Sequence, residues 1–312
     1  MSFDLANSFG KEKRPFLLIS NFDAKRIEVI ALDELVNHDI EFCIDENFIQ
    51  NKHQHLLKKT PISFQAYKQK FDQVIEKIKS GDTYLLNLTQ ETPIQTLLSF
   101  KEIFQLVNAH YKLRYKDEFI CFSPEKFIQI KDNKINTFPM KGTIDTSIDN
   151  AKEIILHDAK EMAEHTMVVD LLRNDLSIVS QNVKVQRYRY ITKIDAGQKE
   201  LLQVSSHISG DLSENWHENI GTILQKILPV GSISGTPKKS TLDIIKKVEN
   251  YERGFYSGIF GVYDGKSFDS GVMIRFIQRN KDTLVYKSGG GITLDSDAKS
   301  EYEELTQKIY LP

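Results

Sequence analysis

Between Thr60 and Asp82 apolar side chains recur at helical spacing, with Phe64, Tyr67, Phe71, Val74, Ile75 and Ile78 on one stripe. Thr60-Pro61 precedes the stripe and Gly81 follows it, which predicts an amphipathic helix that stops at Gly81. "TYLLNLTQ" then reads as a strand, and Ser99 with Glu102 forms an S-x-x-E capping box that opens a helix through Ile103, Leu106 and Val107. "EFICFSPEKFIQIKDNKINTFPM" is dense in Phe and Ile and broken by turn residues, so it predicts two or three strands, with Lys141 just past a strand end. Helical patterns follow from Asp158 to Asp175, from about Glu214 to Leu228 around Trp216, and after "GSISGTPKK". "FYSGIFGVYDGKSFDSGVMIRFIQRN" turns back at Asp264-Gly265 as a hairpin, "DTLVYKSGGG" adds a strand, and "DAKSEYEELTQKIY" ends the chain as a short helix. Strands and helices arrive in blocks instead of strict alternation, which makes the expected fold class α+β.

The 312 residues suit one large body, with room for two lobes, and no internal repeat is visible. Lys+Arg 41 against Asp+Glu 43 is the balance of a soluble globular protein, and nothing points to nucleic acid or a membrane as partner. Apolar runs such as "PFLLI" and "MVVDLL" fall far short of the roughly 20 residues a membrane span needs. The start lacks the cationic-then-apolar order of a signal peptide, and Cys43 and Cys121 make no disulfide framework, so the expected compartment is the reducing cytoplasm.

Candidate chemistry is dispersed along the chain. Glu161 and Glu164 are three apart on one helix and Glu301 and Glu304 repeat that spacing on another. If the two helices face each other, four carboxylates converge, and a hard cation such as Mg²⁺ would be needed to neutralise them. The alternative is a helix cap at Asp158 and a surface pair between Glu304 and Lys308. "PVGSISGTPKK" and the glycines Gly289, Gly290 and Gly291 each offer either a backbone cradle for an anion or a tight connection. Arg275 lies in an apolar stretch where two-residue alternation would put Met273, Arg275 and Ile277 on one face, and its guanidinium needs an anion from a substrate or a nearby acid. Glu125, beside Pro124, is either a turn residue or a half-buried general acid. Lys141 has nothing in its local sequence to lift it above a surface cation.

In order and spacing, "IKSGDTYLLNLTQ", "FSPEKF", "FPMKGT", "EMAEHTMVVDLLRNDL", "PVGSISGTPK", "RGFYSGIFGVYDG", "IRF" and "GGGITLDSDAKSEYEELTQK" resemble the chorismate-utilising enzymes, from about Pro61 to the C-terminus. These are aminodeoxychorismate synthase component I, anthranilate synthase component I, isochorismate synthase and salicylate synthase. The resemblance implies a two-lobed α/β sandwich of mixed or antiparallel sheets flanked by helices, with Mg²⁺ as cofactor and chorismate as substrate. It implies a short strand-rich segment over 1–60 integrated into the body and a chorismate-binding catalytic domain over 61–312.

Position by position, the resemblance implies that Glu164 and Glu304 bind Mg²⁺ directly, flanked by Glu161 and Glu301. Tyr256 and Arg275 match the pair that holds the enolpyruvyl carboxylate, Gly289–Gly291 match backbone donors to carboxylate, and Lys308 and Thr143 match further substrate contacts. Glu125 matches the acid that protonates the departing C4 hydroxyl. Lys141 stands where anthranilate and isochorismate synthases carry alanine, and it resembles the nucleophile of aminodeoxychorismate synthase, which forms a covalent adduct with the ring.

Leu85 stands where the water-activating members carry a lysine and where aminodeoxychorismate synthases carry glutamine, and Gln203 stands where a histidine is usual, with His207 four residues on. The expected activity is that of aminodeoxychorismate synthase component I, with ammonia from a separate glutamine amidotransferase subunit. Anthranilate synthase component I and a non-catalytic chorismate or Mg²⁺ binding module are the alternatives.

Overall fold

The strands pair into two sheets in the computed structural model, which describes residues 2–44, 57–195 and 200–311, and several of them, such as Phe16–Ser20 and Phe119–Ser123, are buried along their whole length. Each sheet belongs to one of two units that share the chain in an interleaved way. The first is Met1–His38, Pro124–Val230 and Gly258–Val272, and the second is Asp39–Ser123, Gly231–Ser257 and Met273–Pro312. Every strand pairing among the described residues is antiparallel. No described helix is long and apolar enough to cross a membrane.

In the first unit the sheet runs from Ile27–Ala31 through Phe16–Ser20, Ile259–Tyr263, Phe268–Val272, Lys126–Lys131 and Lys134–Thr137 to the long strand Glu200–Asp211. That strand carries Lys134–Thr137 and Met140–Asp145 end to end along one side and Gln181–Asp195 along the other. The helix Ala159–Ser177 packs on three of these strands through Val168, Val169, Leu172 and Leu176. Its N-cap is Asp158, which accepts the Glu161 N–H at 2.8 Å. An N-terminal helix, Ser2–Glu12, was not legible in the pattern because its buried face is Phe3, Ala6 and Gly10, two of them small. It lies against Ile220–Ile227, with the Phe3 carbonyl so near Gly221 that a Cβ there would sit 2.0 Å from it.

In the second unit the order is Gly235–Thr236, Leu85–Gln95, Thr283–Ile292, Phe276–Asn280, Phe119–Ser123, Tyr111–Tyr115 and Ile40–Ile44. The helix expected after Thr60-Pro61 begins later, at Phe64, because Ser63 caps it by accepting from the Ala66 N–H at 3.2 Å. The Ser99–Glu102 capping box forms as expected. Arg275 does not share a strand face with Met273 and Ile277. The strands end at Val272 and restart at Phe276, and Arg275 has a left-handed φ of 52° that breaks the two-residue alternation.

The second unit also buries an ion pair. Arg253 and Glu249, each 1% exposed in their side chains, meet at 2.6 Å. Arg253 further donates to the carbonyls of Ile233 and Asn87, and Glu249 accepts from the N–H and hydroxyl of Thr89. The pair thereby ties the segment before Gly235–Thr236 to the strand Leu85–Gln95, and removing one member leaves a charge with no partner. Arg253→Met is expected to cost about 3–5 kcal/mol of stability. Urea unfolding of the variant beside the wild type measures it, and a loss under 1 kcal/mol on the scale of exposed pairs would contradict this account.

Candidate active site

Lys141 lies inside the strand Met140–Asp145, not past a strand end as the pattern suggested. The strand exists because of its partner: Met140 pairs with Ser205 and Thr143 with Gln203, a span of three residues against two. The extra residue is a bulge at Lys141–Gly142, where Gly142 takes the φ of +83° that a side chain resists. A bulge re-aims the residue it contains. Here the half-buried Lys141 Nζ reaches to 3.4 Å from Glu164 Oε2, and Lys160 Nζ lies 4.0 Å from the other oxygen. Glu161 stands over the bulge, its Oε2 3.3 Å from where a Cβ on Gly142 would fall.

Glu125 is half-buried between Phe119–Ser123 and Lys126–Lys131, and its carbonyl is held by the Val272 N–H at 3.0 Å. Thr143 is exposed, at the end of the bulge. His207, four residues beyond Gln203, stacks on Phe138 at 4.7 Å and bonds to the Asn136 side chain, so it takes no part at Lys141.

The residue that sequence reasoning missed is His165. It is fully buried on the face of Ala159–Ser177 that carries Val168 and Val169, and its Nε2 lies 2.7 Å from Ser206 Oγ. Burial, then the positive charges of Arg189 and Lys141, push its pKa down to about 4, so the ring is neutral at physiological pH. Its position next to Glu164 and one turn before Val168 and Val169 was the available signal.

In the second unit Arg275 sits with its guanidinium carbon 5.1 Å from the Tyr310 ring centre, and no described acid pairs with it. Tyr256 is buried and lies in the field of Arg275, and burial holds its phenol protonated far above the ordinary range. Gly289, Gly290 and Gly291 are part of the strand Thr283–Ile292, opposite Thr89, Leu88 and Asn87, instead of a connecting loop. The bare position at Gly290 admits the Glu301 carboxylate, whose Oε2 would be 3.2 Å from a Cβ there. Glu301 is buried and accepts from Ser296 Oγ at 2.9 Å. Glu304 is exposed and pairs with Lys308 at 2.5 Å, while Lys308 also donates to the Gly289 carbonyl. Burial and then the charges of Glu301 and Glu304 raise the Tyr67 phenol above its usual range.

Among the described residues no three His, Cys, Asp or Glu side chains stand together as a ready metal cage. The donors themselves suit a hard cation. Glu164 is a buried carboxylate drawn toward two ammonium groups, and Glu301 is a buried carboxylate with a hydroxyl beside it.

The family of chorismate binding enzymes matches residues 24–311. This chain is a chorismate binding enzyme. A chorismate binding enzyme thus carries the bulged lysine, the half-buried Glu125 and the Arg275–Tyr256 pair described above. A PabA-like protein of Pasteurella multocida is 44% identical over 313 residues, covering 98% of this chain and 97% of its own. Aminodeoxychorismate synthase component 1 of Bacillus subtilis is 30% identical over 260 residues, 77% of this chain, which spans 54% of that relative. The menaquinone-specific isochorismate synthase MenF of Escherichia coli has the same fold, with a TM-score of 0.73 over 97% of this chain and 79% of its own at 15% identity.

If the bulge aims Lys141, Gly142→Val should strain the backbone by about 1–2 kcal/mol and crowd Glu161. Chemical denaturation reads the first effect. Loss of chorismate turnover with the protein still folded reads the second, and a fully active, equally stable variant would refute the assignment of the bulge.

Proposed function

We propose that this chorismate binding enzyme is component I of an aminodeoxychorismate synthase, converting chorismate and ammonia to 4-amino-4-deoxychorismate for p-aminobenzoate and folate synthesis. The observation that supports this reading most is a lysine, Lys141, on a glycine bulge with its amine 3.4 Å from a buried carboxylate, at the place that, by the resemblance, anthranilate and isochorismate synthases fill with alanine. A surface lysine would need neither the bulge nor the carboxylate.

The chemistry then divides into two displacements. Lys141, having lost a proton, forms a bond from its nitrogen to C2 of the ring. The ring double bonds shift and the C4–O bond breaks, with Glu125 giving its proton to the departing hydroxyl so that water leaves. Ammonia next bonds to C4, the double bonds shift back, and the C2–N bond breaks with its electron pair returning to Lys141. Arg275 and Tyr256 hold a substrate carboxylate, the charge that Arg275 lacks among its own neighbours. Lys308, Thr143 and the Gly289–Gly291 backbone supply further contacts. Mg²⁺, held by Glu164 and Glu304 with Glu161 and Glu301 beside them, would neutralise a substrate carboxylate when bound. The ammonia comes from a glutamine amidotransferase subunit, in keeping with the name "component 1" of the Bacillus subtilis relative.

Incubation with chorismate, Mg²⁺ and ammonium, with the product identified by mass, tests the reaction. Anthranilate as the sole product would overturn it. Lys141→Ala should abolish amination. It should bind Mg²⁺ no more weakly than the wild type, since it removes the ammonium that competes for Glu164. Calorimetric titration with the metal alone checks this, and weaker binding would contradict the ion-pair exchange.

A further inference from the structure

We infer that the edge strand Gln181–Asp195 is a docking site for an extended, acidic segment of a partner protein, which adds to the sheet of the first unit as one more strand. The inference is independent of which reaction the enzyme performs on chorismate.

The strand is 15 residues long and pairs with Glu200–Asp211, and among the described residues it pairs with no other strand. One row of its backbone N–H and C=O groups therefore faces away from the ladder. The helix Ala159–Ser177 touches the strand, yet none of residues 181–193 is buried. The ladder shifts register at three places between Gln181 and Tyr190, and lysines and arginines punctuate it. Bulges and cations are the devices that protect an open edge from chance pairing.

Protection explains the bulges and the cations, and it leaves the apolar groups unexplained. Tyr188 is 51% exposed and Val185 36%, and on the adjoining helix Met162 is 44% exposed. Thr166 ties helix to strand at this point, its Oγ1 donating to the Met162 carbonyl at 2.7 Å and lying 2.7 Å from the Tyr188 hydroxyl. Tyrosine, methionine and arginine are the residues in which protein interfaces are enriched.

Charge selects the partner. Residues 181–193 hold Lys184, Arg187, Arg189 and Lys193 and no acid. Lys193 is paired with Glu200 at 3.1 Å, and Arg189 donates to the Ile155 carbonyl at 3.1 Å. Lys184 and Arg187 are exposed and form no ion pair with a described residue. Asp211, opposite Gln181, is already held by Lys134 and Asn182. The Arg187 guanidinium carbon lies 4.0 Å from the Tyr190 ring centre, and a guanidinium over a ring keeps its N–H edge open to a carboxylate. A second copy of this chain would set the same cations against one another, which is unfavourable across a strand pair. A nucleic acid would engage the cations through its phosphates and offer nothing to the row of backbone groups. An extended acidic segment meets all three features: it pairs with the backbone row, covers Val185 and Tyr188, and brings carboxylates to Lys184 and Arg187.

The test uses the full chain and a fluorescent synthetic peptide in which glutamate alternates with valine and threonine, beside a control with lysine for every glutamate. Fluorescence anisotropy should show the glutamate peptide binding at least about tenfold more tightly than the lysine peptide. In the double variant Lys184→Glu, Arg187→Glu that order should reverse, a result that loss of fold could not produce. Hydrogen exchange read by mass spectrometry should slow in residues 181–193 while the glutamate peptide is bound, as added strand pairing requires. The comparison of the two peptides on the wild type needs no variant. Equal binding of the two peptides, or binding without slower exchange in that segment, would overturn the inference. So would an oligouridylate bound more tightly than the glutamate peptide at the same salt, or self-association of the wild type that the double variant loses.

Discussion

The arrangement around Lys141 depends on a register constraint: Glu200–Asp211 must pair with a longer segment than itself on each side of Ser205, so each neighbour bulges there. One bulge presents a lysine opposite Gln203–Ser205 and the other an arginine backbone opposite Ser205–His207, with Ser205 the partner residue common to both. A regular ladder would alternate side chains across the sheet and place Lys141 by parity alone. The extra residue breaks that parity, and the helix Ala159–Ser177 supplies Glu164 to receive what is re-aimed. Gly142 is the local requirement, since its φ of +83° is the conformation a bulge of this kind asks of the chain.

Electrostatics then explains why Lys141 and Glu164 belong together. A carboxylate that is 10% exposed in its side chain is costly without a counter-charge, and Lys141 and Lys160 provide it. Such a pair is a poor source of stability, since desolvation of both charges offsets much of their attraction. The Lys141 amine and the Glu164 carboxylate are thus linked by one contact of 3.4 Å, and whatever binds Glu164 changes the company of that amine.

The second unit shows a different economy of charge. Arg253 and Glu249 satisfy one another and four further backbone and hydroxyl groups, so their burial builds a rigid frame. Arg275 has tyrosines around it and, among the described residues, no acid paired with it. Arg253 and the partly buried Arg275 therefore do opposite things, and the difference lies in whether a described carboxylate of the chain is within reach.

Much of the fold was legible in the sequence. The capping box at Ser99, the hairpin at Asp264-Gly265 and the glutamate-bearing helices follow from patterns contained within one or two turns of chain, where the determining contacts are local. The resemblance of the ordered motifs identified the family and the candidate residues. What sequence could not reach were features set by pairing over long separations. These are the strand that carries Lys141, the break that puts Arg275 at a left-handed φ, the strand placement of Gly289–Gly291, and the burial of Glu301 while Glu304 stays exposed. His165 is the clearest case. By itself it is a histidine on an apolar helix face, and only the tertiary structure brings it to Ser206, more than forty residues away by chain count. Side-chain chemistry and periodicity are properties of the chain, whereas register and bulges arise from competition between partner strands, and that competition exists only once the sheet has formed.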